Sequence, residues 1–229
     1  MIYCPRSIIL LAGPKNSGKN LAGSILEKHG YISVSFAFKL KQLISFIYNL
    51  PLQPLLGLNT SDKVWREQLH PNLSSTKHSI LWSTLSISLA SQFVFGNTTH
   101  SDLLSYFLSK HLYHKDFSPR TLMQTLGTEV FRSVNPDCWC SLLFSSLNPS
   151  SNYVITDGRF FNEAIYTKNN DGIILYLEPI NSTNNCNNVH SSEDTIGLKK
   201  ISDSVIKHDY NRSSLESLLL PYVSVPTAP

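Results

Sequence analysis

Residues Ile8–Asn20 read IILLAGPKNSGKN, a short apolar run followed by Gly13, four further residues, Gly18 and Lys19. This spacing is typical of a phosphate-binding loop that joins a buried strand to a helix, because the glycines let main-chain N–H groups turn inward around an anion. The lysine is expected to reach the outer phosphates of a nucleoside triphosphate. The alternative is a glycine-rich turn that binds nothing. The residues predicted to hold the nucleotide are Gly13, Pro14, Lys15, Asn16, Ser17, Gly18, Lys19 and Asn20.

Asn20 departs from this motif, which usually has Ser or Thr at that position to supply a hydroxyl to Mg²⁺. Mg²⁺ prefers oxygen ligands and keeps several of its waters. An amide oxygen could therefore ligate the ion directly or hold one of those waters, and we predict Asn20 as a metal residue.

The composition indicates a globular protein of modest charge. Of 229 residues, 41% are hydrophobic and 15% are charged, which suits one α/β domain with a substantial core. The net charge is +3, and the first 50 residues carry six Lys or Arg against one acid, which suits a polyphosphate ligand. Nucleic acid is disfavoured as a partner because no aromatic–basic repeat accompanies this charge. The four cysteines lack paired zinc spacing, and no signal peptide precedes the first strand, so we expect a reduced intracellular compartment, the cytoplasm.

The alternation of apolar runs with longer stretches predicts an α/β fold of three layers, with helices on both faces of a mainly parallel five-stranded sheet. The predicted strands are Ser7–Ala12, Tyr31–Ser35, Tyr153–Thr156, Ile173–Leu177 and Ser204–Ile206. The predicted helices cover residues 19–29, 36–50 and 121–132.

The domain organisation predicted from the sequence is a single domain over residues 1–229 that begins with the phosphate-binding loop. Residues 51–117 are interpreted as an inserted helical lid or substrate region, and residues 225–229 as a frayed tail. Within the insertion, the stretch 79–95 is apolar but broken by Ser, Thr and Gln, which favours a buried or amphipathic helix over a membrane span.

The predicted helix near residue 120 carries three polar side chains on one face. Arg120, Gln124 and Thr128 are spaced four residues apart, so a helix places them side by side, where they could hold a phosphate, a base edge and a sugar. A surface role for the arginine and the amide is the alternative.

Asp157 ends an apolar strand, at the edge where parallel sheets present residues to a ligand crevice, and it could orient Mg²⁺-bound water. Arg159 follows two residues later and could grip phosphate with its planar fork. The structural alternatives are a turn cap at Asp157 and an ion pair of Arg159 with Glu163. A third segment, HSSED at residues 190–194, follows a polar stretch that reads as a flexible loop.

The order of these segments and the residues in them resemble the deoxynucleoside monophosphate kinase family of bacteriophages and some large DNA viruses. The motifs are collinear, and they leave only residues 51–117 uncovered. Asn20 stands where that family usually has Asp, and Gly158 stands where it tends to have an apolar residue. The matching residues are Gly13 to Lys19, Phe36, Ala37, Leu40, Lys41, Arg120, Leu122, Gln124, Gly127, Thr128, Asp157, Arg159, Glu163, His190, Ser192 and Glu193.

The resemblance implies a kinase that uses ATP and Mg²⁺ to convert deoxynucleoside monophosphates to diphosphates, in the cytoplasm or in the host cell of a virus. It implies catalytic roles for Lys19, Arg120, Asp157 and Arg159, with Asn20 and Asp157 at the metal. The residues implied to bind the acceptor are Lys41, Arg120, Gln124, Thr128, Arg159 and Glu163.

Other functions stay open at this point. The chain could be an inactivated kinase kept as a nucleotide-binding or structural module, or a related kinase acting on another phosphorylated small molecule. A GTPase is disfavoured because no N-K-x-D motif for guanine is found. The expected partners are ATP and the monophosphate, with no membrane, and both a monomer and a homodimer are compatible with the sequence.

Overall fold

The computed structural model describes residues 7–180 and 196–223. The chain divides into two compact units. The first comprises Met1–Phe36 and Ser146–Pro229, and the second comprises Ala37–Ser145. The second unit includes the predicted insertion 51–117 and extends beyond it at both ends. A single kinase domain over residues 1–229 stays a prediction.

The first unit contains a five-stranded sheet in the order β2-β3-β1-β4-β5, with every neighbouring pair parallel. All five predicted strands are present, and the α/β fold with a parallel five-stranded sheet is confirmed. The strands are β1 (Ile8–Ala12), β2 (Tyr31–Val34), β3 (Asn152–Gly158), β4 (Ile173–Pro179) and β5 (Ser204–His208).

Helices cover both faces of this sheet, because the central strands are apolar on both sides, as parallel sheets require. The helices of the described residues are α1 (Lys19–Lys28), α2 (Ala37–Tyr48), α3 (Leu52–Leu56), α4 (Thr60–Glu67), α5 (Ser75–Leu81), α6 (Thr84–Phe95), α7 (Ser101–His111), α8 (Pro119–Gln124), α9 (Arg132–Val134), α10 (Cys138–Phe144), α11 (Phe161–Lys168), α12 (Ile196–Ile201) and α13 (Arg212–Leu219). Short 3₁₀ turns occupy Pro71–Leu73 and Leu220–Tyr222, and a π-helix occupies Thr125–Phe131.

The core of the first unit is built on β1. Alternate residues of a strand face opposite sides, so Ile9 and Leu11 join a buried cluster with α1 and α13, and Leu10 faces the side where α11 contacts the sheet. The connections after β1 and β3 thus leave on opposite faces of the sheet. In open α/β sheets such a switch point, at the carboxyl ends of the strands, is where ligands bind.

The second unit is helical throughout its described elements, which agrees with the prediction of helices over residues 51–117. The apolar stretch 79–95 is two helices, not the one expected, and they are separated at Trp82 and Ser83. The buried indole of Trp82 donates to the Tyr48 hydroxyl over 2.8 Å, and the Ser83 side chain caps α6. This tertiary contact and the new cap explain the break.

The predicted helix over residues 121–132 is also not uniform. It begins at Pro119 behind a Ser118 cap, widens to a π-helix at Thr125 and returns to α-helix at Arg132. Inside the widened turn, the Gly127 carbonyl accepts a hydrogen bond from the buried Trp139 indole at 3.0 Å. π-Segments inside helices are frequent at functional sites.

Candidate functional site

The loop between β1 and α1 has the backbone geometry that its sequence predicts. Gly13, Asn16 and Gly18 have φ values of 140°, 62° and 81°. A side chain at Gly13 would place its Cβ 2.5 Å from the Leu177 carbonyl oxygen, so both the backbone angle and the close approach of β4 require glycine. The Ser17 N–H donates to the Pro14 carbonyl over 3.1 Å and closes a turn within the loop.

The loop ends at a helix start that has no side-chain cap. Gly18 is the N-cap of α1, and the N–H groups of Gly18, Lys19 and Asn20 have no acceptor among the described residues. Uncapped N–H groups carry the positive end of the helix dipole and form a site for an anion, phosphate above all.

Lys19 folds back over the loop. Its Nζ donates to the carbonyl oxygens of Gly13 and Pro14, both at 2.7 Å, and to Ser17 Oγ at 3.2 Å. The three donors of the ammonium are therefore all used within the loop. Burial first, and the nearby Arg159 charge second, lower the pKa of Lys19 to about 8, against the opposing effect of Asp157. The charges of both side chains thus act on the ammonium.

Asp157 lies in an irregular part of β3. Leu10 pairs with Ile155, and Ala12 pairs with Gly158, so β3 carries one extra residue opposite β1. Such a bulge re-aims side chains. The Asp157 Oδ1 accepts the Phe36 N–H at 2.9 Å, which ties the end of β3 to the chain that follows β2.

Gly158 stands where the resembling family tends to have an apolar residue, and the packing of β3 against β1 explains the glycine here. A Cβ at this position would lie 2.7 Å from Leu10 Cδ1 and 3.0 Å from the Leu11 carbonyl oxygen. The bulge brings β3 so close to β1 that an apolar side chain would not fit without a shift of the strand.

Glu163, predicted to bind substrate, is buried at the start of α11. Its Oε2 accepts the N–H groups of Arg159 at 2.8 Å and Phe160 at 3.0 Å, and so caps the helix. The main chain of Arg159 thus contacts Glu163, and the ion pair between their side chains stays an alternative. A role of Glu163 toward substrate stays a prediction, and its observed effect is to fix the backbone that carries Arg159.

Asn20 is exposed on the first turn of α1, and its side chain makes no hydrogen bond among the described residues. No group of three or more His, Cys, Asp or Glu side chains in the described residues could hold a metal ion. The donor set of Asn20 and Asp157 fits a cation that takes most of its oxygens from water and phosphate, as Mg²⁺ does.

The other predicted site residues belong to the second unit. Arg120 forms an ion pair with Glu67 of α4, with Nη1 and Oε1 3.2 Å apart. Gln124 and Thr128 are half-buried, one at the end of α8 and the other in the π-helix. Lys41 Nζ reaches the Leu56 carbonyl oxygen at 3.5 Å. Their roles toward a ligand stay predictions.

The first unit thus brings Lys19, Asp157 and Arg159 together beside the loop. His190, Ser192 and Glu193 of the third motif lie outside the described residues.

Two residues near the loop were missed by the sequence reasoning. His208 Nε2 contacts the Ser17 carbonyl oxygen at 3.0 Å, and the Tyr210 hydroxyl donates to the Asn16 carbonyl at 2.7 Å. His208 is the last residue of β5, and Tyr210 follows two residues later. The rule that pointed to Asp157, that polar residues at the carboxyl end of a parallel strand lie near a ligand, could also have pointed to these two.

Comparison with known proteins adds a family match to this geometry. None of the helices within residues 7–180 and 196–223 combines the length and the apolar character needed to cross a membrane. The comparison with curated proteins found no match. A family model described as Deoxynucleotide monophosphate kinase matches residues 75–220, more than half of the chain. That range contains Arg120, Asp157 and Arg159, and it begins after the Gly13–Lys19 loop. On this match the chain belongs to the deoxynucleotide monophosphate kinase family.

Proposed function

We propose that this kinase transfers the γ-phosphoryl group of ATP to a deoxynucleoside monophosphate and releases ADP and a deoxynucleoside diphosphate. The observation that carries the proposal is the loop over residues 13–18, with its uncapped N–H groups and with Lys19 held against it. Phosphoryl transfer requires positioning and charge neutralisation more than covalent chemistry from the protein, and this loop supplies both.

The donor side is assigned to the loop. The N–H groups of Gly18, Lys19 and Asn20 would bind phosphate oxygens, because those donors have no acceptor among the described residues. Lys19 would exchange its contacts with the Gly13 and Pro14 carbonyls for the β- and γ-phosphates. Its charge then lies where negative charge grows during transfer.

The transfer itself is a direct displacement. An oxygen of the acceptor phosphate attacks the γ-phosphorus, and the bond from that phosphorus to the β–γ bridging oxygen breaks, so that ADP leaves. No nucleophilic side chain is needed. Mg²⁺, when bound, would neutralise phosphate charge, and Asp157 and Asn20 are the residues proposed to hold it or its waters.

The acceptor side is assigned to arginines. Arg159 lies near Lys19 and would grip the acceptor phosphate or the group in transfer with two parallel hydrogen bonds. Glu163 supports this role by fixing the Arg159 main chain. Arg120, with Lys41, Gln124 and Thr128, is proposed to bind the acceptor on the resemblance of its helix to the family's motif.

The test is an ADP-release assay with ATP, Mg²⁺ and each of dAMP, dGMP, dCMP, dTMP and the ribose forms. Lys19→Ala should reduce turnover by roughly two to three orders of magnitude, since a transition-state charge contact is worth about 3–4 kcal/mol. Lys28→Ala is the matched control, because Lys28 is an exposed lysine at the other end of the same helix.

Three outcomes decide the proposal. Release with a deoxynucleotide, lost in Lys19→Ala and kept in Lys28→Ala, supports it. Near-normal turnover of Lys19→Ala would remove the loop from the mechanism. ATP binding by the wild type without turnover on any acceptor would indicate an inactivated kinase instead.

A further inference from the structure

We propose that His208 and Tyr210 are positioning residues that brace the phosphate loop from its outer side and so orient its anion-binding N–H groups. The inference rests on the proposed function of the loop. It concerns two residues outside every motif of the sequence, one at the end of β5 and one just after it.

The brace consists of two hydrogen bonds to consecutive carbonyls of the loop. His208 is 1% exposed, and its Nε2 lies 3.0 Å from the Ser17 carbonyl oxygen. The Tyr210 hydroxyl donates to the Asn16 carbonyl oxygen at 2.7 Å. The two rings also meet edge to face with centroids 5.0 Å apart, so they hold each other in place.

The hydrogen-bond partners of the His208 ring indicate its tautomer. The Tyr210 N–H donates to His208 Nδ1 at 3.2 Å, so Nδ1 is an acceptor. The Ser17 carbonyl can only accept, so Nε2 must carry the proton and donate. The ring therefore links the Tyr210 main chain to the loop, because it accepts one hydrogen bond at Nδ1 and donates another from Nε2.

The effect on the anion site follows from the geometry of the peptide bond. The chain has no cis peptide among its described residues. In a trans peptide the carbonyl and the following N–H point in opposite directions. His208 holds the Ser17 carbonyl on its own side, so the Gly18 N–H is turned to the other side, where it has no acceptor among the described residues.

Tyr210 acts on the conformation of the loop, because it contacts a strained residue, Asn16. Asn16 has φ 62°, a left-handed conformation that costs energy for a residue with a side chain. The Tyr210 hydroxyl holds the Asn16 carbonyl in that conformation, and Tyr210 itself has φ 65°. Strain of this kind persists where surrounding contacts enforce it, and it clusters at functional sites.

The close approach of His208 also accounts for Gly18. A Cβ at Gly18 would lie 2.9 Å from His208 Cε1, and the φ of 81° at this position already disfavours other residues. The second glycine of the motif therefore makes room for the brace as well as for the turn.

The first test compares Tyr210→Phe with Tyr222→Phe in the full-length protein. Each removes one hydroxyl from the first unit, and the Tyr222 hydroxyl donates to Ser204 Oγ at 2.7 Å, at the opposite end of β5 from His208. Tyr210→Phe should weaken ATP binding about three- to tenfold, as expected for one lost hydrogen bond, and leave the KM for the deoxynucleoside monophosphate unchanged. Tyr222→Phe should leave ATP binding at the wild-type value.

The second test uses the different reach of two amides at His208. Gln can place its amide nitrogen where Nε2 lies and keep the donor to Ser17, whereas Asn reaches only the Nδ1 position. His208→Gln should therefore bind ATP within about threefold of wild type, and His208→Asn should lose about tenfold. If His208→Asn fails to fold, Tyr210→Phe alone decides the test, because it removes one oxygen from an exposed residue and keeps the ring.

A purely structural role predicts a different result, namely lower melting temperatures with unchanged ATP affinity in the active fraction. That result, or equal losses of ATP and acceptor affinity, would overturn the proposal. Lys19→Ala, measured beside these variants, separates the two claims. If Lys19→Ala loses turnover while Tyr210→Phe binds ATP like wild type, the brace is wrong and the loop function stands.

Discussion

Lys19 should make nucleotide binding depend on pH in the alkaline range. Its pKa is lowered to about 8, first by burial, then by the Arg159 charge, against the opposing effect of Asp157. Only the charged ammonium attracts phosphate. Because the pKa in the free protein is depressed, the charged fraction falls as the pH rises through about 8, and affinity for ATP should fall with it.

The size of the effect follows from the titration of one group. With a pKa of about 8, Lys19 is almost fully charged at pH 7, half charged at pH 8, and roughly one-tenth charged at pH 9. Bound phosphates favour the charged form, so binding at pH 9 must take up a proton and should be about tenfold weaker than at pH 7. Below pH 7 the phosphates of ATP begin to protonate, so the titration of Lys19 is best measured above pH 7.

Calorimetry with ATP between pH 7 and 9.5, in pairs of buffers with different ionisation enthalpies, measures both the affinity and the proton uptake. Lys19→Arg keeps a charge that does not titrate in this range, so its affinity should be flat with pH. Arg159→Gln removes the second cause of the shift and should move the midpoint to higher pH. The reasoning is refuted if the ATP affinity of the wild type changes by less than twofold from pH 7 to 9, or if Lys19→Arg shows the same pH dependence as the wild type.

Three further predictions concern the metal, the acceptor and the stability of the site. Asn20→Asp restores a carboxylate at the start of α1, so half-maximal activity should need less Mg²⁺; an unchanged requirement in a Mg²⁺ titration would place Asn20 away from the metal. Arg159→Lys replaces a planar fork with a point charge, so the acceptor KM should rise or kcat fall while ATP affinity changes little; equal losses for both ligands would take Arg159 out of the acceptor site. Glu163→Gln replaces a carboxylate that accepts two main-chain N–H groups with a weaker, neutral acceptor, so urea unfolding should show a loss of about 1–2 kcal/mol. Glu216→Gln makes the same change at a half-buried contact to His29 and should cost less than about 1 kcal/mol; equal costs would contradict the capping role.

The sheet was predictable from the sequence because buried parallel strands are apolar throughout. Each expected strand is present, with bounds that shift by a few residues, most of all for β3. The bulge that re-aims Asp157 could not be predicted, because it exists only in the register of β3 against β1. The same holds for Gly158, whose reason is the approach of Leu10.

The helical unit was less predictable, because its helix boundaries depend on tertiary contacts. The break between α5 and α6 lies where Trp82 turns inward to Tyr48. The π-helix contains Gly127, whose carbonyl accepts a hydrogen bond from the Trp139 indole of α10. Neither contact leaves a periodic signal in the sequence, since the partners are 34 and 12 residues apart.

The assignment of this chain to a nucleotide kinase draws on two sets of residues that do not overlap. The family match covers residues 75–220 and indicates the reaction class, whereas the loop geometry comes from residues 12–20 and indicates where a phosphate would bind. The two sets meet at Lys19, whose charge is tuned by Asp157 and Arg159 from the matched range. An electrostatic contact of this kind is expected when a lysine and an arginine serve one polyanion, because the two positive charges repel until phosphate lies between them. Burial is the first cause of the depressed pKa of Lys19 and the Arg159 charge the second, so a bound polyphosphate would raise that pKa by adding negative charge beside the ammonium.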